Sequence, residues 1–337
     1  MGDGRRHAVL SAASMTSAAD PRGNAGPADD APALIAVDWG TTALRGALLA
    51  ADGRELARHA APRGLLGIAP GGWPAAFDAE FGAWRAAHPS LPCLMAGMVG
   101  SRQGWAEAPY AACPAGPADL AARLLWLQPG SLAIVPGLST EVAGIPDVMR
   151  GEETQVFGAL QLLGLQRHDR VTLVLPGTHS KWVEVQRGRI TGFASHMTGE
   201  CYALFRRQSI LARTLPAADD GPWQPEAFDR GAALARAPGG LLHHLFAVRT
   251  LSLFDRADAP ALASLLSGLV IGEELRAQGA AERAADAQAG APVVIVGAPA
   301  LTARYERALA TLSVPVATVG GEAGWRGLAA LAGTLGR

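Results

Sequence analysis

The chain is poor in cysteine, in clustered positive charge and in long apolar runs, and each shortage excludes something. Its three cysteines, Cys93, Cys113 and Cys201, lie far apart and form no Cys-x-x-Cys pair. That argues against a disulfide framework or a cysteine-bound zinc site, and makes a reducing cytoplasm the simplest home. The formal net charge is −1 and no segment gathers lysine and arginine, so the basic face that a nucleic-acid partner needs is missing. No stretch of about 18 or more apolar residues predicts a membrane span. Two nucleotide-binding signatures are also absent. There is no Walker-A GxxxxGK[ST], and the chain turns into a second strand where a dinucleotide fold would place G-x-G-x-x-G and a helix.

What is present is apolar material. Hydrophobic residues make up 49% of 337 and charged residues 18%, enough for two ordinary domains or one large one. The first 32 residues differ from the rest, being rich in Ala, Gly, Asp, Ser and Pro with no lasting period. The apolar "AVLSAAS" after Arg5 and Arg6 is too short and polar for a signal peptide. Residues 1–32 are therefore expected to be a disordered tail outside the fold.

From Ala33 onward one pattern occurs twice. Strand (Leu34–Val37), turn (Asp38–Thr41), strand (Leu44–Ala50), Asp52-Gly53 turn and strand (Glu55–His59) are answered by strand (Val171–Leu175), turn (Pro176–Ser180), strand (Lys181–Val185), Arg187-Gly188 turn and strand (Ile190–His196). Two such units half a chain apart predict two related α/β domains facing each other. Each first turn carries Gly-Thr: Gly40, Thr41 and Thr42 in one, Gly177 and Thr178 in the other. Glycine lets backbone N–H groups approach an anion and threonine adds a donor, which suits phosphate. The units are not equivalent, because Asp38 aligns with Leu175. A single acid opposite an uncharged phosphate turn matches one Mg²⁺–nucleotide site, since Mg²⁺ is held by few carboxylates together with water and phosphate oxygens.

Other segments add candidates. The apolar strand opening "CLMAGMVGSRQGWAEAPY" ends in a loop with Ser101, Arg102, Gln103 and Trp105, a natural place for a polyol or sugar acid. In "VMRGEETQVFGALQLL" the apolar residues follow helical spacing, with Glu152 and Glu153 in the first turn and Arg150 just before it. A helix-dipole cap would explain both glutamates, but their place at the seam beside Arg150 favours the base that takes a proton from a hydroxyl, with the sequence not saying which of the two faces inward. In "SHMTGECYALF" Thr198 is the expected N-cap, and Glu200 is either a capping or a site residue. His179 and Lys181 flank the second phosphate turn, where Lys181 would neutralise phosphate charge. The Gly297-Ala298 loop after a buried strand suits a flat adenine ring, and Gly320-Gly321 repeats the device. The apolar helix around 261–278 reads as scaffold.

Together "AVDWGTT", "MAGMVGS", "GWAEAPY", "VMRGEETQ", "PGTHSKWV", "MTGE" and "LTARY", in order from residue 36 to 305, resemble the sugar-kinase branch of the ATPase superfamily that holds actin, hexokinase and the heat-shock chaperones. Within that branch they are similar to the 2-dehydro-3-deoxygalactonokinases. The resemblance implies two actin/hexokinase-like (ribonuclease H-like) domains around a nucleotide cleft, divided at 33–150 and 151–337. It also implies ATP- and Mg²⁺-dependent phosphorylation of the 6-hydroxyl of 2-dehydro-3-deoxy-D-galactonate, in galactonate breakdown. Sugar kinases of this group place a Gly-Asp catalytic base before the helix ahead of the second phosphate turn; here Gly151 is followed by Glu152 and Glu153. On this reading Asp38 holds Mg²⁺ through water, and Arg150 or Arg102 pairs with the substrate carboxylate. A kinase for another sugar or sugar acid, and a non-catalytic sugar or nucleotide sensor of the same fold, remain open. So does the choice between monomer and homodimer.

Overall fold

The computed structural model describes residues 31–218, 221–283, 286 and 290–335. The expected tail lies outside the described residues up to position 30, and the first strand already begins at Pro32. The first half runs β1 (Pro32–Trp39), β2 (Leu44–Ala50), β3 (Glu55–Ala61), α1 (Trp73–Ala87), β4 (Cys93–Gly97), β5 (Tyr110–Ala112), α2 (Pro117–Ala121), β6 (Leu125–Gln128), β7 (Leu132–Ile134), β8 (Gly137–Val142) and β9 (Ile145–Met149). The second half runs α3 (Glu152–Leu162), β10 (Val171–Leu175), β11 (Ser180–Gln186), β12 (Arg189–His196), α4 (Thr198–Gln208), α5 (Pro225–Leu234), α6 (Gly240–Leu253), α7 (Ala259–Ala277), β13 (Val293–Val296), α8 (Pro299–Ala310), β14 (Val316–Val319) and α9 (Glu322–Ala332).

The duplication is visible in the sheets. The first has the order β3-β2-β1-β4-β7-β6 and the second β12-β11-β10-β13-β14. In both, the first strand pairs antiparallel with the second and parallel with the fourth in order. In both, the register slips between second and third strands, at Leu48/Leu49 and at Glu184/Val185. This is the topology of the actin/hexokinase-like ATPase fold, present twice. A small third sheet, β5-β8-β9, belongs to the first half.

Strand alternation distributes the core. Successive side chains point to opposite faces, so in β1 Leu34 and Ala36 enter a core between the sheets while Ile35, Val37 and Trp39 enter another under α1. In β10 Leu173 and Leu175 face the shared core and Val174 faces the helices α5–α8. Strands covered on both faces must be apolar throughout, which is why these segments read as unbroken hydrophobic runs.

The two halves are joined by close backbone contact. Where α3 crosses α9, a Cβ on Gly158 would lie 1.7 Å from the Ala323 oxygen, and one on Gly327 would lie 1.7 Å from the Thr154 oxygen. Helix α9 also packs on β1, β2 and β4, so the last helix returns to the first sheet. On another side, Ala115 and Ile190 exchange backbone hydrogen bonds of 2.8 and 2.9 Å. The Ser195 N–H and hydroxyl donate to Asp147 at 2.7 and 2.6 Å. No helix among the described residues is long and apolar enough to cross a membrane.

Candidate active site

Two cavities lie on either side of the seam. The first, about 440 Å³, is walled by Asp38, Arg45, Gly151, Gly297, Ala298 and the Gly320-Gly321 pair. The second, about 450 Å³, is walled by Ser101, Arg102, Gln103, Arg150, Glu152 and Lys181 among others. They meet along two short segments. Gly151 lines the first cavity and the next residue, Glu152, lines the second; Pro176 lines the first, whereas His179 and Lys181 line the second. The second phosphate turn therefore stands between the two spaces.

Small residues make the first cavity. The strand ends of β13 and β14 bring Gly297, Ala298, Gly320 and Gly321 to its wall, with Trp325 of α9 as its one aromatic. Sequence reading missed Trp325, which gives no signal beyond its place after a glycine pair. Asp38, at the end of β1, is the only carboxylate among the described residues on this wall and is held by the guanidinium of Arg45. Gly40 N donates to Ala43 O at 2.9 Å, closing the first turn, while Thr41 and Thr42 are exposed and line neither cavity. Among the described residues no group of three or more His, Cys, Asp or Glu gathers to hold a metal. One carboxylate facing open space suits a hard cation that draws most of its ligands from phosphate and water.

The two glutamates at the start of α3 differ sharply. Gly151, at φ 103°, turns the chain into the helix, a left-handed conformation that favours glycine. A Cβ there would also lie 3.2 Å from the Cα of Gly97. Glu152 is half-buried, lines the second cavity and accepts a hydrogen bond from Arg150 N at 3.0 Å. Burial raises its pKa; the charge of Lys181 works against that rise and the charge of Asp38 adds to it. Glu153 is fully buried and reaches neither cavity. Its Oε2 accepts from Gly151 N at 2.7 Å, its Oε1 has no partner, and burial, reinforced by the neighbouring Glu152, pushes it up to about 8.

The second cavity holds unmet donors. Arg150 gives one Nη to Ala108 O at 2.7 Å and stacks over the Tyr110 ring at 4.4 Å, yet its Nε and other Nη are buried without partners. Ser101 Oγ is buried and unpartnered too. Buried donors left unpaired cost free energy unless a ligand or water meets them. Arg102, by contrast, is exposed and pairs with Glu107 at 3.5 Å.

Several candidates stand elsewhere than expected. Trp105 lies 5.6 Å from Phe77 in the core under α1 and lines neither cavity. His179 and Lys181, grouped in the sequence with the nucleotide, line the second cavity. Lys181 is the only lysine in the chain and is 5% exposed. The Glu200 carboxylate lines neither cavity and bonds His179 at 2.5 Å. Thr198 is the first residue of α4, which has Met197 as its N-cap; its hydroxyl bonds instead to Glu274. None of the cysteines is set up as a nucleophile, since burial pushes Cys93 to about 12 and Cys113 to about 11 and raises Cys201.

Duplicated ATPase-like halves, with a Gly-Thr turn between two cavities and a glutamate facing the second, are the arrangement a sugar kinase would use. Comparison with known proteins specifies it further. Residues 38–331 match the model of the 2-keto-3-deoxy-galactonokinase family, and the chain belongs to that family. It is 35% identical over 288 residues to a probable 2-dehydro-3-deoxygalactonokinase of Rhizobium meliloti, covering 84% of this chain and 91% of that one. It is 34% identical over 289 residues to the 2-dehydro-3-deoxygalactonokinase of Escherichia coli, covering 86% and 93%. A crystal structure assigned to a 2-dehydro-3-deoxygalactonokinase protein from Sinorhizobium meliloti superposes with a TM-score of 0.77 at 34% identity, over 89% of this chain and 97% of that one. Membership of a kinase family implies the use of ATP.

Proposed function

We propose that the chain transfers the γ-phosphoryl group of Mg·ATP to the 6-hydroxyl of 2-dehydro-3-deoxy-D-galactonate. The observation that carries this reading is the pairing of an acceptor cavity rich in unmet donors with a glutamate at its junction to the glycine-walled cavity. ATP would occupy the first cavity, its adenine against Gly297 and Ala298 and its phosphates toward Gly40, Thr41, Thr42, Gly177 and Thr178. The sugar acid would occupy the second, with its carboxylate on Arg150 or Arg102 and its hydroxyls on Ser101 and Gln103.

Asp38 fits Mg²⁺ held through water, because a single carboxylate leaves the remaining ligand positions to phosphate and solvent. When bound, Mg²⁺ neutralises charge on the phosphates being parted. This chain's own residues do the rest. Glu152 accepts the proton as the 6-oxygen forms its bond to phosphorus and the bond to ADP breaks. Glu152 is preferred to Glu153 because it faces the acceptor cavity. Lys181 beside it offsets negative charge on the phosphoryl group and favours the ionised form of Glu152. Phosphoryl transfer needs positioning and charge neutralisation more than covalent help. With domains of residues 33–150 and 151–337 either side of the cleft, closure of one on the other would exclude water from the acceptor side. A cytoplasmic setting accords with three free cysteines.

The test is a coupled ADP-release assay with Mg·ATP and a panel of 2-dehydro-3-deoxygalactonate, its gluconate epimer, galactonate and no sugar. Release that requires the first compound and yields its 6-phosphate supports the reading. Equal release without a sugar acid refutes it.

A further inference from the structure

Glu274 lies in the apolar helix α7, outside both cavities, and is 2% exposed. Its carboxylate accepts hydrogen bonds from Trp182 Nε1 at 2.7 Å, from the Tyr305 hydroxyl at 2.7 Å and from the Thr198 hydroxyl. All three donors are neutral. Burial, followed by the charge of Glu274, holds the Tyr305 phenol well above its ordinary pKa, so it stays a donor. With its one proton given to the carboxylate, Tyr305 Oη can only accept from Ser180 Oγ, 2.9 Å away.

These partners surround the second phosphate turn. Ser180 and Trp182 flank Lys181 on β11, and strand alternation turns both inward while Lys181 faces the acceptor cavity. Thr198 opens α4, whose next residue presses on the turn: a Cβ on Gly199 would lie 2.4 Å from Gly177 O. Glu200 N then donates to Thr178 O at 3.0 Å. One carboxylate thus ties down the strand that leaves the turn and the helix that backs it. A buried charge is not needed for stability alone, since apolar packing of like volume serves as well or better. It does impose directional bonds that an apolar group cannot.

From this geometry we infer that Glu274 is a positioning residue, which through Trp182, Thr198 and the Tyr305–Ser180 pair sets the height of Lys181 and of the Gly177-Thr178 turn for phosphoryl transfer. The inference rests on the kinase reading above and adds to it a residue remote from both substrates.

The test uses the full-length enzyme with Glu274→Gln, Tyr305→Phe and Lys181→Met, alone and combined. A glutamine offers one oxygen to three donors and turns its NH₂ toward one of them. Glu274→Gln is expected to lower kcat at least tenfold, with KM for the sugar acid within twofold and calorimetric affinity for ADP reduced at least threefold. In the Lys181→Met background the same change should lower kcat by a clearly smaller factor, about threefold, because one of the two positioned groups is gone and only the Gly177-Thr178 turn remains to be displaced. Equal factors in both backgrounds overturn the inference, and so does an unchanged kcat with only a lower melting temperature. If Glu274→Gln does not fold, Tyr305→Phe carries the same test in the same direction, since it removes one hydroxyl and keeps the carboxylate. If the wild-type enzyme phosphorylates no sugar acid, the kinase reading fails on its own, and ADP affinity alone then decides the role of Glu274.

Discussion

Replacing Glu153 by glutamine should flatten the pH dependence of stability. In the folded chain Glu153 keeps its proton up to about pH 8, whereas its ordinary value is 4.5. Below 4.5 both states are protonated and the residue gives no pH dependence. Between 4.5 and about 8 unfolding releases a proton, so rising pH favours the unfolded chain by about 1.4 kcal/mol per unit. Above about 8 the loss is complete. The upper limit is about 5 kcal/mol, and local relaxation and water entry bring the working figure nearer ~2 kcal/mol. Glutamine is close in shape, cannot ionise, and can keep the bond from Gly151 N. Urea unfolding followed by tryptophan fluorescence at pH 5 and pH 8.5 supplies the comparison. Wild type should lose about 2 kcal/mol more than Glu153→Gln between the two. The difference between pH values is the readout, because other carboxylates titrate alike in both proteins. Identical pH dependence would refute the buried, protonated state of Glu153. A hundredfold loss of kcat in a stable Glu153→Gln would overturn the choice of Glu152 as base.

Four further outcomes follow from the site. Glu152→Gln should lower kcat about 10²- to 10⁴-fold and leave KM for the sugar acid nearly unchanged in steady-state kinetics. In the wild type the acid limb of kcat/KM should fall above the ordinary glutamate value, because burial raises Glu152 and activity is lost as pH drops through its pKa; a pH–rate profile reads this directly. Arg150→Lys should raise KM for the sugar acid about tenfold with little change in kcat, since a lysine neither forks nor stacks on Tyr110. Asp38→Asn should raise the Mg²⁺ concentration needed for half-maximal rate at least about tenfold, and a magnesium titration at saturating ATP checks it.

The parts of the fold legible in the sequence were those set by neighbours along the chain. Both β-β-β units, their Gly-Thr turns and the Asp38/Leu175 asymmetry depend on strand alternation and turn chemistry, which are local. The helix starting at Glu152 was legible for the same reason. What could not be read was which way a side chain faces once elements pack. Trp105 follows a glycine-rich loop and is equally at home in a cavity wall or a core; the proximity of Phe77 decided for the core. Lys181 adjoins a Gly-Thr turn in sequence, yet the inward packing of Ser180 and Trp182 sends it to the second cavity. Glu274 sits in a run read as scaffold, on the same helical face as buried Leu266 and Val270. An acid on an apolar stripe was the available signal, but its partners come from 76 and 92 residues earlier in the chain and from 31 later. The same limit applied to Trp325, which reaches the first cavity only through packing of the last helix, whereas Arg45 is simply the cross-strand partner of Asp38 in the first hairpin.

The crossing of α3 over α9 bears on how such an enzyme could open and shut. Most helix pairs interlock through side-chain ridges, and turning one against the other means lifting those ridges out of their grooves. At Gly158 and Gly327 there are no ridges to lift, only peptide groups resting against peptide groups. Such a contact gives small rotations about the point of touch no side-chain ridge to climb. It works as a bearing. A single added methyl would act there as a wedge, pressing on Thr154 and beside Leu328, both on the wall of the first cavity.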